Sequence, residues 1–219
     1  MSTIVYGNIL STRTQRVLLL LEELRIKYEL HTLHFEKGEH QNTKDPEYVK
    51  ERHPFAKVPA FQDADVNIFE SRAICRYLVN RYPSELSPPT GDNKALALFE
   101  QAASVEASYF ESAVEKLAFE LIFKKALGIG ETDEATVNQQ RAQLSKVLDY
   151  YENTLSQQDY LAGKTYSLID LFHVPWIGFI QHRLQLSNEI DSRKNVKAWW
   201  NRVNQRTATK TVLAKLTQH

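Results

Sequence analysis

HPFAKVPAFQDADVNIFESRAI, residues 53–74, is the stretch whose reading decides the fold. Within it Val58-Pro59-Ala60-Phe61 and Val66-Asn67-Ile68-Phe69 are short apolar runs of β-type residues, and Asp63-Ala64-Asp65 between them reads as a hairpin turn. A proline at the head of a strand cannot donate to the ladder, so Pro59 belongs at an edge, a bulge or a turn. A cis Val58–Pro59 bond would be a selected geometry, since cis bonds are a small minority even before proline. A bend there leaves the Val58 N–H and C=O free to pair with an extended peptide. Directly after the second strand, Glu70-Ser71 opens a helix through Arg72-Ala-Ile-Cys-Arg-Tyr-Leu78. Unsatisfied N–H groups at a helix start make a ready site for a carboxylate. The segment sets a peptide-pairing edge beside an anion site, which suits a small acidic peptide.

Toward the N-terminus, strand and helix alternate. Thr3-Ile-Val-Tyr6 reads as a strand, Thr14 to Ile26 as a helix, and Tyr28 to Phe35 as an alternating strand. Val17, Leu18, Leu20, Leu21 and Leu24 occupy one broad face of that helix. A strand–helix–strand unit of this length implies a right-handed crossover between parallel strands. An irregular polar segment, residues 36–52, leads to the hairpin and to its helix, which ends near Tyr82. The order βαβ-α-ββα is that of a thioredoxin-like domain over residues 1–82.

Pro83 to Asp92, rich in proline and turn formers, reads as a linker. Beyond it strand signals vanish. Residues 93–126 read as a long helix stopped at Gly128-Ile-Gly130, and residues 134–157 as a second helix. Ser167-Leu-Ile-Asp170 has the spacing of a capping box with Asp at N3, and it opens an apolar helix, residues 168–184, that contains Pro175. Loss of such a cap costs roughly 1 kcal/mol. Shorter helices are expected over residues 196–203 and 209–216. The fold class is therefore α/β followed by all-α: a small thioredoxin-like domain (1–82), a linker (83–92) and a helical domain (93–219).

Composition excludes several roles. Lysine plus arginine and aspartate plus glutamate each number 27, so the formal net charge of zero gives no electrostatic case for nucleic acid or an anionic membrane. Leu18 to Leu21 is followed at once by Glu22-Glu23, far short of a membrane span. The N-terminus runs straight into a strand, without a basic and apolar leader, so a cytoplasmic protein is expected. One cysteine rules out an internal disulfide framework and a paired-cysteine metal site. The seven histidines form no HxxxH or HxH arrangement, and no metal site is expected.

The hairpin segment resembles the glutathione site of the cytosolic glutathione S-transferases, and the similarity extends over almost the whole chain. Tyr6-Gly-Asn-Ile-Leu-Ser-Thr-Arg-Thr-Gln-Arg-Val17 looks like that family's first strand, catalytic loop and first helix. Gly38-Glu-His40, Pro54-Phe55, Val58-Pro59-Ala60-Phe61 and Phe69-Glu-Ser-Arg-Ala-Ile74 match the phi class in particular. Lys116 to Phe123, Val147 to Glu152 and Tyr160 to Pro175 carry the match through the second half.

The resemblance implies roles for particular residues. Ser11 aligns with the catalytic serine, whose hydroxyl would stabilise the glutathione thiolate; read locally, Ser11 and Thr12 equally suit plain helix capping. His40 and Gln41 would meet the glycine carboxylate of glutathione, with Gln41 standing where lysine is common. Lys57 replaces the glutamine usual before Val-Pro, and its ammonium would pair with a carboxylate through looser geometry. Val58, beside Pro59, would pair through its backbone with the cysteinyl unit. Glu70 and Ser71 would hold the ammonium and carboxylate of the γ-glutamyl end, although ordinary capping accounts for the same pair. Phe110, Phe119 and Phe123, on the long helix, are the expected contacts of the electrophile, with a core role as the plain alternative. Cys75 lies inside a helix and reads as a buried structural thiol.

The implied activity is conjugation of the glutathione thiolate to small hydrophobic electrophiles, with hydroperoxide reduction as a second activity. Glutathione is a co-substrate, no cofactor is implied, and the family state is a homodimer. The rival reading is a non-catalytic carrier or scaffold on the same fold. Lys57 and Gln41 give it room; Ser11, His40 and Glu70-Ser71 speak against it.

Overall fold

The computed structural model describes residues 3–34 and 42–216. The chain forms two compact units, Met1–Ser84 with Gln205–His219, and Glu85–Asn204. In the first, β1 (Thr3–Gly7), β2 (Tyr28–Thr32), β3 (Ala60–Asp63) and β4 (Val66–Phe69) form one sheet in the order β2-β1-β3-β4. β1 and β2 are parallel, whereas β1 with β3 and β3 with β4 are antiparallel. The parallel pair is joined by α1 (Thr12–Glu23), which buries Val17 to Leu21 completely or nearly so. This is the expected crossover, with the helix beginning two residues earlier because Ser11 caps it.

Local chemistry accounts for the remaining differences from the sequence reading. The polar segment expected to be irregular contains α2 (Pro46–Glu51), which starts on an Asp45 cap with proline in its first turn. β3 begins at Ala60 and not at Val58, because Pro59 has no N–H for the ladder. The hairpin turn closes at Ala64, whose φ of 55° lies in the left-handed region. α3 (Ser71–Arg81) follows β4 without a spacer beyond Glu70.

The second unit is helical. α4 (Asn93–Val105), α5 (Ser112–Ala118) and α6 (Lys124–Ala126) occupy the expected long helix, linked by π-helical turns at Glu106–Glu111 and Phe119–Phe123. α7 (Glu134–Leu155), α8 (Leu168–His182), a short unanticipated α9 (Ser187–Asp191) and α10 (Lys194–Asn204) complete it. α8 runs through Pro175 without ending and is buried along almost its whole length. Leu86, read from sequence as linker, is buried, and its carbonyl accepts the Leu168 N–H at 2.9 Å.

α11 (Thr207–Leu216) departs from the expected division, since it packs on α1 and belongs to the first unit. Arg206 grips Glu23 with two bonds of 2.6 and 2.8 Å, and Lys215 reaches Glu22 at 2.9 Å and the Tyr28 hydroxyl at 2.7 Å. Among the described residues no helix is long and apolar enough to cross a membrane.

Asp170 is the polar hub of the second unit. The capping box is complete, and the fully buried carboxylate accepts from Leu161 N, Ser167 N, Ser167 Oγ and Trp199 Nε1 at 2.8–3.0 Å. Burial pushes its carboxyl above the usual range while the donors pull it back. Asp170→Ala would strand these buried donors together. It is expected to lower the unfolding free energy by about 3 kcal/mol, measured by denaturant titration.

Candidate active site

The sheet register gathers the candidate segments at one end. Gly7 closes β1 beside Thr32 of parallel β2, and Tyr6 pairs with Ala60 at the start of antiparallel β3. Ala60 pairs in turn with Phe69 at the end of β4. The loop after β1 with Ser11, the approach to β3 with Lys57-Val58-Pro59, and Glu70-Ser71 after β4 therefore leave the sheet at the same edge. The segment after β2 leaves there too; His40 and Gln41, which it carries, lie outside the described residues.

Ser11 sits half-exposed at the N-cap of α1 in extended conformation. Its Oγ accepts the Thr14 N–H at 3.3 Å, which engages a lone pair and leaves the hydroxyl proton to point elsewhere. Capping and donation to a sulfur are thus compatible functions of one hydroxyl. The loop is pinned around it: Asn8 donates to Leu33 O at 2.9 Å and accepts from Leu10 N at 2.9 Å, while Gln15 donates to Ile9 O at 2.8 Å. Gly7 permits the close approach, since a Cβ there would lie 2.7 Å from the Thr14 side chain.

Val58 and Pro59 are buried and joined by a cis bond. Val58 packs with Leu33, Tyr48 and Ala60, and it precedes the first ladder residue, Ala60. The Lys57 side chain is exposed, and its carbonyl accepts the Tyr48 hydroxyl at 2.6 Å. Burial pushes that phenol far above its ordinary value, so it stays a donor.

Glu70 has φ 71° and ψ 107°, rare for a residue with a side chain, at a strain of about 1–3 kcal/mol. Its side chain makes no cap bond to α3, and it stands exposed at the helix start. Ser71 behind it is buried, and its Oγ accepts from Arg16 Nη1 at 2.8 Å. Arg16 is 0% exposed, so its guanidinium is held inside the fold against Ser71 at the α3 N-terminus. Sequence reading missed Arg16; the available signal was a cation set just before the apolar run Val17 to Leu21.

The aromatic candidates divide. Phe110 is 0% exposed, 4.6 Å from the His173 ring and 6.1 Å from Tyr151, so it is a core residue and not a free contact surface. Phe119 and Phe123, in the second π-helical turn, are 39% and 40% exposed, and Phe123 lies 5.9 Å from Phe179. Cys75 is fully buried, with burial pushing its thiol up to about 12.

Comparison with known proteins shows the family of the chain. The family model for the glutathione S-transferase N-terminal domain matches residues 1–80, and that for the C-terminal domain matches residues 110–207. Glutathione S-transferase PM239X14 of Arabidopsis thaliana is 41% identical over 199 residues, covering 90% of this chain and 88% of its own. The crystal structure of poplar glutathione transferase F1 superposes with a TM-score of 0.90 at 33% identity, covering 100% of both chains. Glutathione S-transferase I from maize, solved in complex with an atrazine–glutathione conjugate, gives a TM-score of 0.87 at 33% identity over 98% of this chain and 97% of that one. The chain belongs to the glutathione S-transferase family, and its relatives are phi-class members.

With its thiol held protonated, Cys75 is expected to resist iodoacetamide in the folded protein and to react at once in denaturant. Mass spectrometry of the alkylated chain reads both states. Rapid modification of the native protein would contradict the buried assignment.

Proposed function

We propose that this protein conjugates glutathione to small hydrophobic electrophiles, using Ser11 to stabilise the glutathione thiolate. The observation that carries the proposal is the convergence of Ser11, Val58-Pro59 and Glu70-Ser71 at one end of the sheet. An extended tripeptide laid along the Val58 edge would pair its cysteinyl backbone with Val58. Its γ-glutamyl carboxylate would meet Ser71 and the first-turn N–H groups of α3, over the charge of Arg16, while Glu70 takes the ammonium. The exposed ammonium of Lys57 is available to a carboxylate, and His40 and Gln41 are assigned to the glycine end.

The chemistry follows from sulfur ionisation. An ordinary thiol titrates near about 8.5, and only the thiolate is an effective nucleophile. Donation of the Ser11 proton to sulfur, at the positive end of α1, favours the charged form. The thiolate then forms a carbon–sulfur bond to the electrophile as the leaving group departs with its electron pair. Phe119 and Phe123 are the proposed electrophile contacts. The same thiolate can attack a peroxide oxygen, forming an S–O bond as the O–O bond breaks and the alkoxide leaves as an alcohol after proton transfer. A second glutathione thiol then converts the glutathione sulfenic acid to disulfide and water, and hydroperoxide reduction is proposed as this side activity. A homodimer is part of the same reading; Leu96 and Leu98 on α4 are exposed apolar residues of the kind such an interface covers.

The thiol pKa of bound glutathione, read from thiolate absorbance against pH, tests the proposal. It is expected to fall about two units below the free thiol in wild type and to return most of the way in Ser11→Ala. Binding with an unshifted pKa would favour the carrier or scaffold instead.

A further inference from the structure

His53 opens the segment on which the fold turns, and its ring lies between the two arms that carry the proposed glutathione contacts. Only 2% of the residue is exposed. The imidazole packs on Phe69 at 4.6 Å and meets Phe55 at 6.2 Å, with Phe55 and Phe69 themselves 6.1 Å apart. Phe69 is the residue before Glu70, and Phe55 begins the three-residue turn to Lys57. Nδ1 accepts the Phe55 N–H at 3.4 Å, which requires that nitrogen to be unprotonated. The backbone is fixed as well: His53 N donates to Tyr48 O at 3.1 Å, and His53 O accepts from Ala56 N at 2.9 Å. Ala56 has φ 54°, so this tight turn is already conformationally demanding.

We infer that His53 is a positioning residue for glutathione: its neutral ring clamps the Lys57–Pro59 arm to the Phe69–Glu70 arm, so protonation of a group that never touches glutathione loosens the site. The inference rests on the glutathione reading above.

Burial fixes the sign, and the charges around the ring modify it. Glu70 at the head of α3 favours the protonated form, while Lys57 on the loop and burial oppose it. Arg52, the preceding residue, lies 4.7 Å over the Tyr6 ring and bonds Asn67 Oδ1. Tyr48 faces the turn with its backbone oxygen and gives its hydroxyl to Lys57 O. Burial outweighs Glu70, so the His53 pKa lies below the ordinary 6.5. The folded protein then binds fewer protons than the unfolded chain just below pH 6.5. The clamp is intact above that pH and is lost as pH falls through the lowered value. A protonated ring would donate at Nδ1, where the Phe55 N–H now points, and would attract the Glu70 carboxylate needed for the γ-glutamyl ammonium.

Linkage makes the coupling reciprocal, because a ligand that prefers the neutral clamp must lower the His53 pKa on binding. S-methylglutathione is the probe, since it has no thiol to titrate. The His53 ring resonance, assigned by its absence from His53→Asn, is followed by NMR against pH with and without saturating probe. The expected result is a pKa below 6.5 in the free protein and a further fall in the complex. Calorimetry should show binding of the probe about fivefold weaker at pH 5 than at pH 7.5 in wild type, and a dependence at least halved in His53→Asn. If His53→Asn fails to fold, His53→Phe keeps the ring packing and answers the same question. A pKa at or above 6.5, an equal pKa in free and bound protein, or an unchanged pH slope in the variant would overturn the inference while leaving the glutathione site standing. No binding of the probe at any pH would remove both.

Discussion

The register of the mixed sheet is the constraint on which everything else depends. Tyr6 opposite Ala60, and Ala60 opposite Phe69, set the ends of three strands level. A slip of one residue would move the buried Val5 and Phe61 to the opposite face of the sheet, so burial enforces the register that brings the Ser11 loop, the proline-led edge and the α3 N-terminus together. The site is thus a by-product of core packing, and its residues need little rigidity of their own. Where they have it, neighbours supply it: Asn8 and Gln15 hold the Ser11 loop, Tyr48 holds Lys57, and Arg16 holds Ser71.

Both units place charged side chains under cover and hold them with buried hydrogen bonds. Arg16 and Asp170 are both completely buried, one bonded to Ser71 at the start of α3 and the other at the α8 cap. Glu152 of α7 accepts from the N–H groups of Asn195 and Val196, capping α10 from outside. His173, fully buried in α8, meets the Ile169 carbonyl at 2.7 Å and the Tyr151 hydroxyl at 3.0 Å. With Nδ1–H donating to the carbonyl, Nε2 is left to accept from Tyr151, so a single neutral tautomer satisfies the pair. Such groups add specificity to a core that apolar packing alone would define less sharply.

The alternating elements of the first unit, the hairpin and the capping box were legible because each has a local signature in residue spacing. Other features depend on contacts distant in sequence. Nothing in Thr207–Leu216 announces that it returns to α1, because the decision is made by Arg206 and Lys215 meeting Glu23 and Glu22 almost the length of the chain away. Phe110 and Phe119 share a helix in the sequence reading, yet one is core and the other half-exposed; the π-helical turns shift the faces that a regular period assigns. Of the candidate site, Val58-Pro59 and Glu70-Ser71 were readable as chemistry from the chain itself. The assignment of Ser11 drew on resemblance, since a cap and a thiol donor have the same local sequence.

The central claim is that glutathione lies along the sheet end marked by Ser11, Val58 and Ser71. Amide NMR of the 15N-labelled protein titrated with S-methylglutathione tests it most directly. The largest shifts are expected on the Val58 amide, on Ser71 and Arg72 at the start of α3, and on the loop around Ser11. Shifts that leave these amides unmoved and gather instead on the helices of the second unit would contradict it.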